Sequence, residues 1–413
     1  MFVAVMGFGT VGSGVVELLY KNHDSIVKKS MQESLELKYI LDIRDFPDSP
    51  YKDKFVKDFD IILNDPEVQI VVETMGGATF AYDCVKKLLK AGKSVVTSNK
   101  ELVAAYGYEL LTIANETNAN FLFEASVGGG IPIIRPITQC LAANEIDEIA
   151  GILNGTTNYI LTKMITENAS FEDALKTAQE LGYAEKDPTA DVDGHDSCRK
   201  ICILAALCFG KHVYPKDVHT EGIRNIKLSD VAYAASWGGV IKLIASAKKV
   251  SDNSISVTVG PTFVNSHSQL ASVEDVFNAV LVRGDAVGDV VFYGRGAGKF
   301  PTASAVVADV IDAAKHIEKK KNFGWDDAQD NYVVDYKTQS TAVYARGIID
   351  GDKADIIKKI NDAIGAVRVL KIDNAPNNEL AFVTNPAPEG ELRDKISNIN
   401  GFSVESIIRI TDY

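Results

Sequence analysis

Phe2-Val3-Ala4-Val5-Met6-Gly7-Phe8-Gly9-Thr10-Val11-Gly12 opens the chain with five apolar residues, a G-x-G-x-x-G step, and then helical spacing. Strand, glycine turn and helix in that order mark the first βα unit of a dinucleotide-binding fold. Gly7 permits the tight turn, Gly9 lets the main chain approach a pyrophosphate, and Gly12 lets helix and strand pack closely. The start of the helix turns free N–H groups and a positive dipole end toward the phosphates, and Phe8, Thr10 and Val11 complete the turn. A second strand, read over residues 37–43, ends beside both Asp42 and Arg44. An acid there accepts the ribose hydroxyls of NAD, whereas an arginine pairs with the 2′-phosphate of NADP. Arg44 tips the balance to NADP, and Asp42 keeps NAD open.

Working outward, residues 1–140 alternate short apolar strands (2–6, 37–43, 70–73, 94–96, 120–124) with helix-length stretches (12–21, 81–90, 101–115). That alternation predicts a Rossmann-type, doubly wound parallel sheet. Thr74 in Glu73-Thr74-Met75-Gly76-Gly77 follows one strand at the edge that flanks a bound nucleotide. Ser98-Asn99-Lys100 follows the next strand and puts an ammonium near the reacting end of the cofactor, unless Lys100 is simply a solvated loop lysine. After Gly128-Gly129-Gly130-Ile131-Pro132 the texture changes, predicting an α+β substrate domain over 141–294. Residues near 295–320 return to complete the nucleotide domain. A basic stretch with Lys315, Lys319, Lys320 and Lys321 leads into a polar linker at 322–331, and residues 332–413 read βαββαβ, with Asn374-Ala375-Pro376-Asn377 as a hairpin turn.

Length and composition set bounds on this reading. At 413 residues the chain exceeds what one core supports. A net charge of −13 without a basic stripe predicts no nucleic-acid partner. The longest run free of Asp, Glu, Lys and Arg, residues 253–273, is rich in Ser, Thr and Asn, so no membrane span is expected. The first residues carry no basic leader, and the five cysteines form no CxxC, which predicts reduced thiols and a cytoplasmic protein.

Residues 185–200 read Glu-Lys-Asp-Pro-Thr-Ala-Asp-Val-Asp-Gly-His-Asp-Ser-Cys-Arg-Lys, with five carboxylates before an apolar helix takes over at Ile201. Asp196 and Lys200 stand four apart and share one helix face. Acids at a helix start also serve as plain capping. An amine pressed against an apolar wall gives up its proton more readily while a neighbouring carboxylate retains it, so Lys200 suits acid–base work with the balance left open. His195, Cys198 and Cys202 lack zinc spacing, and no G-x-S-x-G accompanies them.

With these residues in place, the chain resembles the homoserine dehydrogenases. The likeness is carried by Gly151-Ile152-Leu153-Asn154-Gly155-Thr156-Thr157-Asn158-Tyr159-Ile160-Leu161, by Glu180-Leu181-Gly182-Tyr183-Ala184-Glu185 with Asp187-Pro188, and by Asp191, Gly194, Asp196 and Lys200. The resemblance implies reversible NAD(P)H-dependent reduction of aspartate 4-semialdehyde to L-homoserine, on the route to threonine, methionine and isoleucine. It implies Lys200 as acid/base, Lys100 at the reacting oxygen, Glu185 and Asp196 on the substrate with Asp191 beside them, and Gly182 and Gly298 against the cofactor. Two lysines and several acids also match a substrate bearing an ammonium, a carboxylate and a reacting oxygen.

Glu124-Ala125-Ser126-Val127-Gly128-Gly129-Gly130-Ile131 resembles the family's sodium segment, which implies Glu124 and the main-chain oxygens of Val127, Gly129 and Ile131 as ligands; a hinge between domains is the alternative. The C-terminal βαββαβ unit resembles an ACT domain, although Asp350-Gly351-Asp352-Lys353-Ala354-Asp355 departs from the usual Gly-Val-Leu step. It therefore serves threonine feedback or only oligomerisation, and a homo-oligomer, dimer or tetramer, is expected. No kinase-length segment precedes residue 1, so a monofunctional enzyme is expected. Two other readings are another amino- or hydroxy-acid dehydrogenase and a catalytically silent sensor. The Asn154–Leu161 block argues against the first, and the retention of Lys100, Lys200 and the acids argues against the second.

Overall fold

The computed structural model describes residues 1–318 and 324–413. They form two compact units, one from Met1–Glu145, Cys202–Pro215 and Phe292–Gln329, the other from Ile146–Ile201, Lys216–Val291 and Asp330–Tyr413. Lys319, Lys320 and Lys321 of the expected basic stretch and the first two linker residues lie outside the described residues.

The first unit is built on strands β1 (Phe2–Met6), β2 (Glu36–Leu41), β3 (Phe55–Val56), β4 (Val68–Glu73), β5 (Ser94–Thr97) and β6 (Phe121–Leu122). Their order is β3-β2-β1-β4-β5-β6 with parallel pairing throughout. Val3–Met6 and Ile70–Val72 are fully buried, as expected of strands covered on both faces. The order reverses between β1 and β4, and the carboxyl ends of strands at such a reversal form the crevice in which these sheets take ligands. Helix Thr10–Lys21 follows β1 and packs on helix Lys299–Lys315. A Cβ at Gly14 would lie 2.9 Å from Lys299 Cγ and 3.1 Å from Ala303 Cβ, so glycine permits the approach. The returning helix thus completes the nucleotide fold.

The expected linker is pinned in part. Trp325 is buried against Gly107, where a Cβ would meet the indole at 2.6 Å, and its Nε1 donates to His212 Nδ1 at 2.9 Å. Polar composition suggested a free tether at 322–331, but one aromatic side chain with a matched glycine notch outweighs it.

The second unit holds β7 (Ile146–Ile152), β8 (His219–Thr220), β9 (Gly239–Ser251), β10 (Ser254–Asn265), β11 (Phe277–Gly284), β12 (Gly288–Arg295), β13 (Ser340–Ile349), β14 (Arg368–Leu370), β15 (Glu379–Val383), β16 (Ala387–Pro388) and β17 (Phe402–Thr411). The sheet runs β12-β11-β7-β9-β10-β17-β13-β15-β14, with β8 and β16 pairing at its margins. The C-terminal βαββαβ segment folds with helices Lys353–Ile364 and Glu389–Ser397 over a core that includes Val343, Ile360, Phe382 and Ile396. It is not separate from the preceding α+β segment. Strand β17 pairs in parallel with β10 from Thr262↔Arg409 to Val264↔Thr411, making one continuous sheet.

A buried ionic cluster welds this join. The Arg346 guanidinium, 2% exposed, donates to Asp230 at 2.8 Å, Glu379 at 3.2 Å and Glu405 at 2.9 Å. Tyr344 and Tyr233 hydroxyls donate to Asp230 and Glu379 at 3.0 and 2.9 Å. Lys227 also reaches Glu405, at 3.4 Å, but removing Arg346 leaves the buried Asp230 and Glu379 carboxylates without the guanidinium that faces them both. Arg346→Leu should therefore lose about 3–5 kcal/mol of stability in urea denaturation, and a loss near zero would show that the cluster does not hold the sheet together.

Candidate active site

Main-chain geometry makes the glycine turn a receptor for an anion. Gly7 has φ +93° and donates its N–H to Leu41 O at 2.8 Å. A Cβ on Gly12 would lie 1.8 Å from Gly7 O, so no side chain is admissible there. Gly9 stands at the N-cap of helix Thr10–Lys21 with open space where a Cβ would project, and Thr10 is exposed on the first turn with Val11 half-buried beside it. The Thr74 hydroxyl donates to Gly7 O at 2.9 Å and braces the turn from the next strand end.

The two rival cofactor residues just after β2 turn out to be partners. Asp42 accepts the Phe8 N–H at 2.7 Å, the Arg44 N–H at 2.9 Å, and Arg44 Nε and Nη2 at 3.0 and 2.9 Å. The Arg44 guanidinium holds the Asp42 carboxyl well below the usual carboxylate range, against the effect of burial. Arg44 remains more than half exposed over the Phe46 ring. Lys57, which sequence reading passed over as one lysine among many, reaches back to the main-chain oxygens of Ile43 and Arg44.

At the same edge, Asn99 caps helix Lys100–Glu116, its side chain accepting the Leu102 N–H at 3.1 Å. Lys100 is thus the first residue of the helix and half-buried, one position ahead of residue 101, where the sequence reading began that element.

The second unit assembles most of the predicted acid–base set. Lys200 is 8% exposed, and its ammonium donates to Asp196 Oδ2 at 2.8 Å and to Leu153 O at 2.7 Å. Asn154 ties the group together. Its amide nitrogen donates to Asp191 Oδ1 at 2.6 Å and to Asp196 Oδ2 at 2.9 Å, while its oxygen accepts the Thr157 N–H at 2.8 Å and caps helix Gly155–Glu167. Both ends of the amide are therefore fixed, and two carboxylates are held side by side by one neutral donor. Asn154 was visible in the sequence only as part of a motif, and an N-cap asparagine gives no sign of partners far along the chain.

Glu185 stands apart from this network. Its side chain is exposed in the turn after helix Phe171–Glu180, and its main-chain oxygen accepts from Gln179 Nε2 at 3.0 Å. Gly182 opens that turn with φ +75°, and the Thr156 hydroxyl donates to Tyr183 O at 2.7 Å, linking the turn to helix Gly155–Glu167. Gly298, in the first unit, has φ +122° at the N-cap of helix Lys299–Lys315.

The proposed cation segment is occupied by donors. Glu124 is 1% exposed; its Oε1 accepts the N–H groups of Ile133 and Ile134 at 2.6 and 2.8 Å, and its Oε2 accepts the Arg135 N–H at 2.9 Å, with Arg135 Nε at 3.3 Å. The bend beyond it is tight. Ile131 N–H donates to Gly128 O at 2.9 Å, Gly129 has φ +57°, and Val127 is buried.

Residues 132–311 match the family model for homoserine dehydrogenase, and residues 7–124 match that for the homoserine dehydrogenase NAD-binding domain. A homoserine dehydrogenase of Bacillus subtilis is 36% identical over 99% of this chain and 97% of its own length. The crystal structure of a homoserine dehydrogenase from Thiobacillus denitrificans superposes with a TM-score of 0.88 at 33% identity, covering 100% of this chain and 98% of that one. A hyperthermophilic archaeal homoserine dehydrogenase in complex with NADPH gives 0.63 at 29% identity, over 76% of this chain and 97% of its own.

The amide bridge has a measurable weight. Asn154→Ser keeps a capping oxygen but removes both donors to the paired carboxylates. It should cost about 1.5–3 kcal/mol in denaturation, the range for hydrogen bonds to charged groups, and Asn154→Asp should cost more; equal stability of all three would exclude the bridge.

Proposed function

The chain belongs to the homoserine dehydrogenase family, NAD(P)-dependent oxidoreductases that interconvert L-aspartate 4-semialdehyde and L-homoserine on the route to threonine, methionine and isoleucine, and from that premise we propose how its own residues divide the work. Lys200 is the acid/base residue. In the reductive direction its ammonium gives a proton to the aldehyde oxygen, and in the oxidative direction the neutral amine takes the proton from the C4 hydroxyl. The observation that carries this role is the buried ammonium held at 2.7 Å by Leu153 O and at 2.8 Å by Asp196, with Asn154 locking Asp196 to Asp191. Asp191 and Asp196 supply negative charge for the substrate ammonium. Glu185 joins them from the exposed turn that Thr156 anchors to the helix beginning beside Asn154. Lys100, at the start of its helix, steadies the reacting oxygen. The bound nicotinamide cofactor supplies or accepts the hydride at C4.

Gly7, Gly9 and Gly12, with the N–H groups at the start of helix Thr10–Lys21, suit the cofactor's pyrophosphate. Thr74 frames the turn, and Gly182 and Gly298 complete the contacts. NADP is the favoured form because Asp42 already spends its oxygens on Phe8 and Arg44, while Arg44 and Lys57 present two cations at the end of β2. Sodium fits less well. Four donors surround the two oxygens of Glu124, leaving the carboxylate little capacity for a cation shared with the main chain of Val127, Gly129 and Ile131, so no step is routed through the ion. The wider reading is a cytoplasmic homo-oligomer whose C-terminal βαββαβ segment, ACT-like in strand and helix order, binds threonine or serves assembly. None of the five cysteines is in a disulfide, and no helix among the described residues is long and apolar enough to cross a membrane.

Following NADPH and NADH oxidation with aspartate 4-semialdehyde tests the assignment. Lys200→Ala should lose roughly 10²–10⁴-fold in kcat, the usual worth of a positioned acid or base, while its NADPH dissociation constant stays near that of the unaltered protein. Near-normal turnover in that variant would remove Lys200 from the mechanism. Arg44→Ala should weaken NADPH about tenfold and leave NADH little changed, the loss expected for one charge-assisted contact; an equal effect on both would remove the NADP preference.

A further inference from the structure

Behind the two nucleotide-edge loops lies a carboxylate that the mechanism above leaves idle. Glu73, the last residue of β4, is 0% exposed. Its Oε1 accepts the Met75 N–H at 2.6 Å, and its Oε2 accepts the Thr97 hydroxyl at 2.5 Å from the end of β5. Thr97 Oγ1 accepts the Asn99 N–H at 2.9 Å in turn. The Asn99 amide donates to Gly77 O at 2.7 Å, and its oxygen caps the helix that begins at Lys100. The bonds close a ring: Glu73 holds the start of the loop after β4, Asn99 holds its end, and Thr97 joins the two.

We infer that Glu73 is a positioning residue for hydride transfer, setting the 75–77 loop and the first turn of the Lys100 helix as one rigid piece. The inference rests on the reading of Lys100 given above. An apolar residue would fill this place at lower cost, because a buried carboxylate is expensive unless its hydrogen bonds are worth keeping. The partners are neutral donors aimed from two different loops, so the charge organises main chain and does not merely neutralise a cation. The next residue, Thr74, braces Gly7, which brings the phosphate turn under the same control.

Ionisation decides whether the ring is complete. The carboxylate accepts on both oxygens; the protonated acid must donate from one, and Thr97 then loses its acceptor. Burial pushes the Glu73 carboxyl up to about 7, against the opposing pull of Thr97, Met75 and Asn99, and on the adjoining helix Thr79–Lys90 the thiol of Cys84 feels its charge. The ring is therefore intact above neutrality and loosens below it. Burial also raises the Asp309 carboxyl to about 7 in this unit, so the Glu73→Gln variant, and not the midpoint alone, assigns an acid limb to Glu73.

The test measures NADPH binding by fluorescence, together with kcat/KM for aldehyde reduction across neutrality, in the full-length enzyme. The unaltered protein should lose activity toward acid with a midpoint near 7. Glu73→Gln should abolish that limb, weaken NADPH roughly tenfold and lower kcat by a similar factor, the worth of one charge-assisted hydrogen bond, with the aldehyde KM changing much less. Thr97→Val should repeat the loss, and Thr97→Ser, which keeps the hydroxyl, should recover most of it; this pair carries the test should Glu73→Gln not fold. Unchanged NADPH affinity and an unchanged acid limb in Glu73→Gln, or in Thr97→Val, would overturn the inference. Normal turnover in Lys100→Met with weakened NADPH in Glu73→Gln would overturn the role of Lys100 and leave the loop ring standing.

Discussion

An ammonium withdrawn from water has to be given hydrogen-bond partners, and the second unit is arranged around that demand at Lys200. Strand β7 ends at Ile152, which leaves the carbonyl of Leu153 free of the sheet and turned to the amine. Asp196 sits one helical turn before Lys200 and supplies the counter-charge. Asn154 then extends the arrangement. A second carboxylate, Asp191, stands beside Asp196, and an amide with a proton for each holds both without adding charge. Three separate stretches of chain must therefore be in register before the amine can be buried. Such a fixed surround has little to reorganise when charge at its centre changes.

The first unit answers a different constraint. A pyrophosphate can be bound by main-chain N–H groups only where side chains stand clear, so Gly7, Gly9 and Gly12 follow from the ligand's need for backbone. Glycine leaves such a turn soft, however, and the stiffness comes from behind it, from Thr74 on Gly7 and from the Glu73–Thr97–Asn99 ring on the neighbouring loops. Flexible residues face the ligand and inflexible ones hold them.

Much of this was legible in the sequence where cause and effect are local. The glycine turn could be read because strand and helix flank it, and the Asp196–Lys200 pair because four residues make one helical turn. Asn154 and Glu73 could not be read the same way. An asparagine before a helix looks like a cap and a glutamate after a strand looks like its end; both descriptions hold, yet their decisive partners lie 37, 42 and 24 residues away. The competition between Asp42 and Arg44 dissolved for a related reason, since composition does not reveal that two rivals bind each other. Trp325 was hidden by the polar residues around it, and the notch at Gly107 that receives it lies on a distant helix. The merging of the C-terminal segment into the β10 sheet depends on the Thr262↔Arg409 register, a pairing that no local pattern encodes.

That merging links the C-terminal segment to the acid–base network through a short stretch of chain, residues 221–223. Arg409 on β17 and Arg393 on helix Glu389–Ser397 both donate to Glu221, at 3.2 and 3.0 Å, and His219 reaches the same carboxylate at 2.7 Å while stacking on Tyr336. Glu221 donates its own N–H to Val259 O. Gly222, the next residue, packs so closely on Val192 and Asp193 that a Cβ would lie 2.3 Å from Val192 O, and the Ile223 N–H donates to that same oxygen at 2.8 Å. Val192 and Asp193 directly follow Asp191 and lie on the stretch that leads to Asp196. Two C-terminal arginines therefore hold Glu221, and the stretch that follows Glu221 packs on the main chain next to Asp191. The C-terminal segment is thus joined, through Glu221 and the close packing of Gly222 on Val192 and Asp193, to the stretch of chain that carries Asp191.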